Sequence, residues 1–123
     1  GQEVDSVAAY IDFDPALLQV VNADGSPADE VVVADSFNTV LWNRVDNRGG
    51  RIDLVLTQLG KPYPVGSLPL ASFAMRALAP AERTWVRFSV AAGRRADVTA
   101  QGESALRSYR VDLSRALLPL LCK

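Results

Sequence analysis

The chain contains no histidine, one cysteine and two lysines among its 123 residues. Without histidine there is no Ser-His or Cys-His nucleophile system and no imidazole metal ligand. With Cys122 alone there is no internal disulfide. No apolar run reaches the roughly 20 residues of a membrane span. Neither charge sign dominates: 13 basic residues stand against 14 acidic ones, for a net charge of −1. Nothing in that balance favours nucleic acid or an anionic membrane as partner. Aromatic residues are few, at 7%.

What remains is ordinary globular material. Hydrophobic residues make up 49% and charged residues 22%, enough for one domain with a real core. Arginine carries nearly all the positive charge, a bias that fits a GC-rich genome.

The pattern is that of strands. Val7, Ala9, Ile11 and Phe13 alternate with Ser6, Ala8, Tyr10 and Asp12, a period of two with one face on a core. Asp14-Pro15 then turns the chain, because proline removes its predecessor from the α region. Asp14 is expected to cap that corner. Ala16 to Leu18 predict one helical turn, and Gln19 to Val21 a second strand. Asn22 to Asp29 is a turn cluster. Val31 to Val33 predict a short strand.

A hairpin follows. Val40 to Val45 and Arg51 to Thr57 flank "DNRGG", whose Asp, Asn and Gly residues tolerate positive φ. Val40, Trp42 and Arg44 are expected on one face; Ile52, Leu54 and Leu56 are expected inward, with Asp53, Val55 and Thr57 outward. "LGKPYPVGSLP" is loop. "LASFAMRALA" has helical propensity, but its alternation between prolines predicts a strand. Thr84, Val86, Phe88 and Val90 predict another, inward-facing, with Trp85, Arg87 and Ser89 outward. "ADVTAQGES" predicts a last short strand. About seven strands, with turn signals roughly every ten residues, predict an all-β sandwich.

Chemistry-bearing clusters are few. Asp12 and Asp14 form a D-x-D pair, which can bind calcium or act as paired carboxylates. The turn role of Asp14 and the outward position of Asp12 explain them without either. "NADGSPADE" lacks the spacing of an EF-hand loop and reads as a surface turn. "GRR" at residues 93–95 reads as a hairpin turn. No catalytic residue, metal site or cofactor is expected. Tyr10, Trp42, Tyr63 and Trp85 are the aromatics able to form a sugar-stacking platform.

Four segments, in order, resemble the cohesin domain: "VAAYIDFDPALLQVV", "NRVDNRGGRIDLVL", "VGSLPLASFAMRA" and "ADVTAQGES". They correspond to its strand-corner-strand signature, its Asn/Asp-Gly-Ile hairpin, its Gly-x-Leu-x-x-x-x-Phe strand, and its closing strand and glycine. The resemblance covers about residues 3 to 105. It implies a jelly-roll sandwich of nine strands, related in fold to cellulose-binding modules. It also implies a non-catalytic module that binds dockerins in extracellular or cell-surface, polysaccharide-degrading assemblies of bacteria. Carried over residue by residue, the partner-binding face is Ser6, Ala8, Tyr10 and Asp12 on the Asp-Pro strand, with Asp53, Val55 and Thr57 on the hairpin strand. Ala8 stands where the family often has a polar or acidic residue. The alternative is a carbohydrate-binding module using Tyr10, Trp42, Tyr63 and Trp85.

The family has one or two strands before the point where this sequence starts. Residues 1–105 are therefore expected to form a domain lacking its first strands. On that view residues 4 to 13 form a strand with one poorly covered neighbour. Residues 106–123 are off-pattern and are not expected to complete the sandwich; Leu117, Leu118, Leu120 and Leu121 are expected to fold back over exposed core.

Overall fold

A computed structural model describes residues 4–100, 103–104 and 110–113. The described residues are all β, in antiparallel sheets without a helix. Ten strands run β1 Ser6–Phe13, β2 Leu18–Val21, β3 Val32–Val33, β4 Thr39–Asp46, β5 Arg51–Thr57, β6 Ala71–Ser72, β7 Ala74–Ala77, β8 Val86–Phe88, β9 Asp97–Ala100 and β10 Glu103–Ser104.

The main sheet has the order β10-β9-β1-β5-β4, with β8 also paired to β1. Its inner face is the predicted one: Val7, Ala9, Ile11 and Phe13 from β1, and Ile52, Leu54 and Leu56 from β5, are all buried. Two small sheets, β2-β7 and β3-β6, contribute Leu18, Val20, Val33, Ala71 and Met75 to the same apolar cluster. Sheets sharing one core in this way are consistent with a β-sandwich. Alternation fixes the register, because a slip of one residue would turn every core side chain toward water.

The Pro15–Leu17 corner keeps the expected single helical turn, which does not continue into a helix: the Leu17 and Leu18 amides both donate to the Asp14 carbonyl, at 3.2 and 2.9 Å. Asp14 does cap it, accepting from the Ala16 amide at 3.0 Å. Other local expectations change. The "LASFAMRALA" strand splits at Phe73 into β6 and β7, which pair with different partners, β3 and β2. Leu41 sits in a β-bulge, which changes parity; Val40 pairs with inward Leu56, whereas Trp42 pairs with outward Val55. At the end of β8 the chain bends. Ser89 is buried and Val90 is exposed, because Ser89 bonds the Tyr10 carbonyl through its amide and receives the Ala91 amide at its hydroxyl.

The expected bare flank of β1 is also corrected. β5 pairs along one side from Ser6 to Asp12, while β9 and β8 share the other, at Ser6–Ala8 and Ile11–Phe13. Two successive strands thus do the work expected of one missing strand. Val111 packs on the core, and residues 110–113 form no strand. The four tail leucines lie outside the described residues.

Three asparagines bracket and brace β4. Asn38 precedes it and holds both backbone groups of Leu59, accepting from the amide and donating to the carbonyl, each at 2.8 Å. Asn43 within it does the same to Val31, at 2.9 Å each. Asn47, in the following turn, does so to Val20. A carboxamide sets an N–H donor group and a carbonyl acceptor side by side, so it pairs with an extended residue much as a neighbouring strand does.

Candidate functional site

The outer face of β1, β5 and β4 is a grid whose rows follow from register. One row runs Thr99, Ser6, Thr57, Thr39; the next Asp97, Ala8, Val55, Trp42; then Tyr10, Asp53, Arg44; then Arg87, Asp12, Arg51, Asp46. All seven expected partner-binding residues therefore lie on one contiguous face of two adjacent strands.

They are not equally available. Thr57 is buried; its hydroxyl donates to the Asp5 carbonyl at 2.9 Å and so accepts from Ser6 at 2.8 Å. Ser6, Ala8, Tyr10, Asp12, Asp53 and Val55 are half-buried. Ala8 and Val55 form a small apolar floor beside Trp42, which is 49% exposed.

Arg94 organises the other half. Its guanidinium bridges β1 and β5, bonding Asp12 at 2.7 Å and Asp53 at 2.6 and 3.2 Å. It also lies over the Tyr10 ring, 5.6 Å from the centroid. Partial burial pulls its pKa down, but the bonds to Asp12 and Asp53 outweigh that and hold it above its ordinary value. Sequence reading missed Arg94, because "GRR" announces only a turn; no local pattern shows a residue reaching more than 40 positions back. The turn itself is present, with Gly93 at φ 81° and the Arg94 amide bonded to the Ala91 carbonyl.

The four aromatics are not gathered into one row. Trp42 is on β4 and Trp85 just before β8, three strand spacings away, about 14 Å across the sheet. Arg87 covers the Trp85 ring at 4.3 Å, and Tyr63 belongs to the loop between β5 and β6.

The rest is sparse. Asp24 accepts from Ser26, whose hydroxyl and then amide hold its carboxyl below the ordinary value; this is the surface turn expected of "NADGS". Among the described residues there is no cluster of three metal-ligating side chains and no helix able to cross a membrane. A cavity of about 60 Å³ between the sheets, lined by Ile11, Leu54, Phe73 and Val111 among others, is well short of the several hundred Å³ an organic ligand fills. The chain matches no protein-family model, and no curated protein is significantly similar to it.

Proposed function

We propose that this chain is a non-catalytic protein-interaction module that docks its partner on the outer face of β1, β5 and β4. The observation that carries the reading is the register: small apolar Ala8 and Val55 lie between half-exposed Trp42 and the Arg94-Tyr10-Asp12-Asp53 cluster. An apolar centre with an aromatic anchor and a polar rim is the composition of a protein interface. The face offers rows of side chains and an open concavity of about 480 Å³ beside Leu41, Trp42 and Arg44 rather than an enclosed pocket, which suits a macromolecule better than a small ligand.

The ordered cohesin-like motifs supply the partner class. The finer reading is a cohesin-like jelly roll that binds a dockerin-type module in extracellular or cell-surface assemblies for polysaccharide breakdown. Isothermal titration against dockerin modules from the same genome is the test. Binding by the wild type that Val55→Asp abolishes, with folding unchanged, is the expected result. No binding to any of them defeats the dockerin reading.

A carbohydrate-binding module is the second reading, favoured by the exposure of Trp42 and Trp85, 49% and 40%. Affinity electrophoresis in polysaccharide gels separates the two: retardation lost in both Trp42→Ala and Trp85→Ala supports the sugar, and unretarded migration removes it.

A further inference from the structure

The carboxylates of the outer face are all hydrogen-bonded, whereas among the described residues three of its guanidiniums hold no carboxylate. Asp12 and Asp53 are held by Arg94. Asp46 accepts from the Arg48 and Gly49 amides at 3.0 Å each. Asp97 accepts from the Ser104 hydroxyl at 2.7 Å and the Val98 amide at 2.8 Å. Arg44, Arg51 and Arg87 are exposed and make no ion pair among the described residues, although the charges of Arg44 and Arg51 act on Asp46 from a distance. Arg51 and Arg87 flank Asp12 on its two neighbouring strands, about 10 Å apart by strand spacing. Arg87 is steadied over Trp85, which limits the freedom its side chain would lose on binding. The last two rows themselves balance, Arg44, Arg51 and Arg87 against Asp12, Asp46 and Asp53, and Arg94, reaching over them from the turn before β9, leaves this end of the face one positive charge ahead while the whole chain carries −1.

We infer that the partner of this face presents an acidic polypeptide segment, whose carboxylates pair with Arg51, Arg87 and Arg44 while its apolar side chains cover Ala8, Val55 and Trp42. This rests on the interaction-module reading and specifies the chemistry of its partner. Guanidinium forks match carboxylates bidentately, and the aspartates already bonded within the face do not compete for the incoming groups. A polypeptide fits better than a uronic-acid polysaccharide, because the adjacent row offers apolar Ala8, Val55 and Trp42 and a further carboxylate, Asp97, but no cation. The partner must therefore change character over about 14 Å, which side chains do and a uniformly charged polymer does not.

The test is fluorescence anisotropy with labelled poly-L-glutamate, on wild type and on Arg51→Glu/Arg87→Glu, with Arg87→Glu alone as the second variant should the double one fail to fold. Wild type is expected to bind poly-L-glutamate at low salt, more weakly as salt rises, and to ignore poly-L-lysine. The double variant is expected to bind at least about tenfold more weakly at an unchanged melting temperature, and the single variant to weaken in the same direction. Absence of poly-L-glutamate binding, equal binding by the variants, or tighter binding of polygalacturonate overturns the inference. A protein partner that binds wild type and double variant equally well would overturn it while leaving the interaction module itself intact.

Discussion

Asn47 and Val20 are 27 positions apart and bonded twice: the Val20 amide donates to the Asn47 side-chain oxygen at 2.8 Å, and the Asn47 amide donates back to the Val20 carbonyl at 3.1 Å. The same nitrogen reaches the Ala28 carbonyl at 3.3 Å. The β4-β5 turn is thereby tied to the second layer. Asn47→Ala leaves these part-buried backbone groups without that partner and is expected to cost about 1–3 kcal/mol. Asn47→Asp keeps the acceptor but turns an anion on two carbonyls, so it should cost at least as much. Urea unfolding checks both; an Asp variant as stable as wild type would show that the clamp is unimportant.

Gly50 ends the same turn at φ 70°, and a Cβ there would collide with the Phe13 carbonyl oxygen and touch Pro15. The Phe13 amide also donates to the Gly50 carbonyl at 2.9 Å. Gly50→Ala meets both a left-handed conformation and backbone, so about 2 kcal/mol or more should be lost. Gly60, also at positive φ but with open space around its Cβ position, should lose less under the same substitution. Equal melting temperatures for the two variants would contradict the collision argument.

Arg94 spans two carboxylates on two strands. Because all three groups keep some exposure, 18% for Arg94 against 28% and 24% for its partners, the stability at stake is about 1 kcal/mol. Arg94→Lys keeps the charge but not the fork, and should recover only part of what Arg94→Ala loses. High salt should shrink the difference between Arg94→Ala and wild type. Denaturant midpoints at two ionic strengths measure this, and a salt-independent gap would point to lost packing on Tyr10 instead.

Asp46 gives a pH dependence. The Gly49 amide, opposed by burial and helped by the Arg48 amide and the charges of Arg44 and Arg51, holds its carboxyl below the ordinary aspartate value. A depressed folded-state pKa means stability present above the unfolded value, near about 3.9, and lost as pH falls through the folded one. Asp46→Asn cannot titrate, so its stability should fall less steeply than that of wild type below about pH 4. Parallel acid-unfolding curves for the two would refute the assignment.

The strands of the main sheet were legible because their core is written locally. Val7 to Phe13 and Ile52 to Leu56 alternate cleanly, and burial follows the alternation residue by residue. The face that carries the seven candidate residues follows from the same parity. Illegible features depend on contacts distant in sequence. The Leu41 bulge inverts the parity of Val40 without any Gly or Asn to announce it. Ser89 and Val90 exchange places because a hydroxyl is needed at the bend, which apolar periodicity cannot register. Arg94 reaches the face from a turn that reads only as a turn. The second flank of β1 is shared by two strands far along the chain, where sequence reasoning looked for one missing neighbour.

The bracing of β4 bears on how this protein survives at high concentration. Thr39 to Val45 is the kind of β-branched and aromatic stretch that templates fibre growth when left as a straight open edge. Here the bulge kinks it at Leu41, the Asn43 side chain ties the Val31 backbone to the strand, and the Asp29 carbonyl, which accepts from the Val45 amide at 2.7 Å, occupies part of its outer rim. A newcomer strand finds only a short, bent length of rim to align with. Asn43 thus acts as a guard against self-templating as well as a brace, and its removal should show as turbidity in concentrated solution on top of the lowered melting temperature expected from losing its two bonds to Val31.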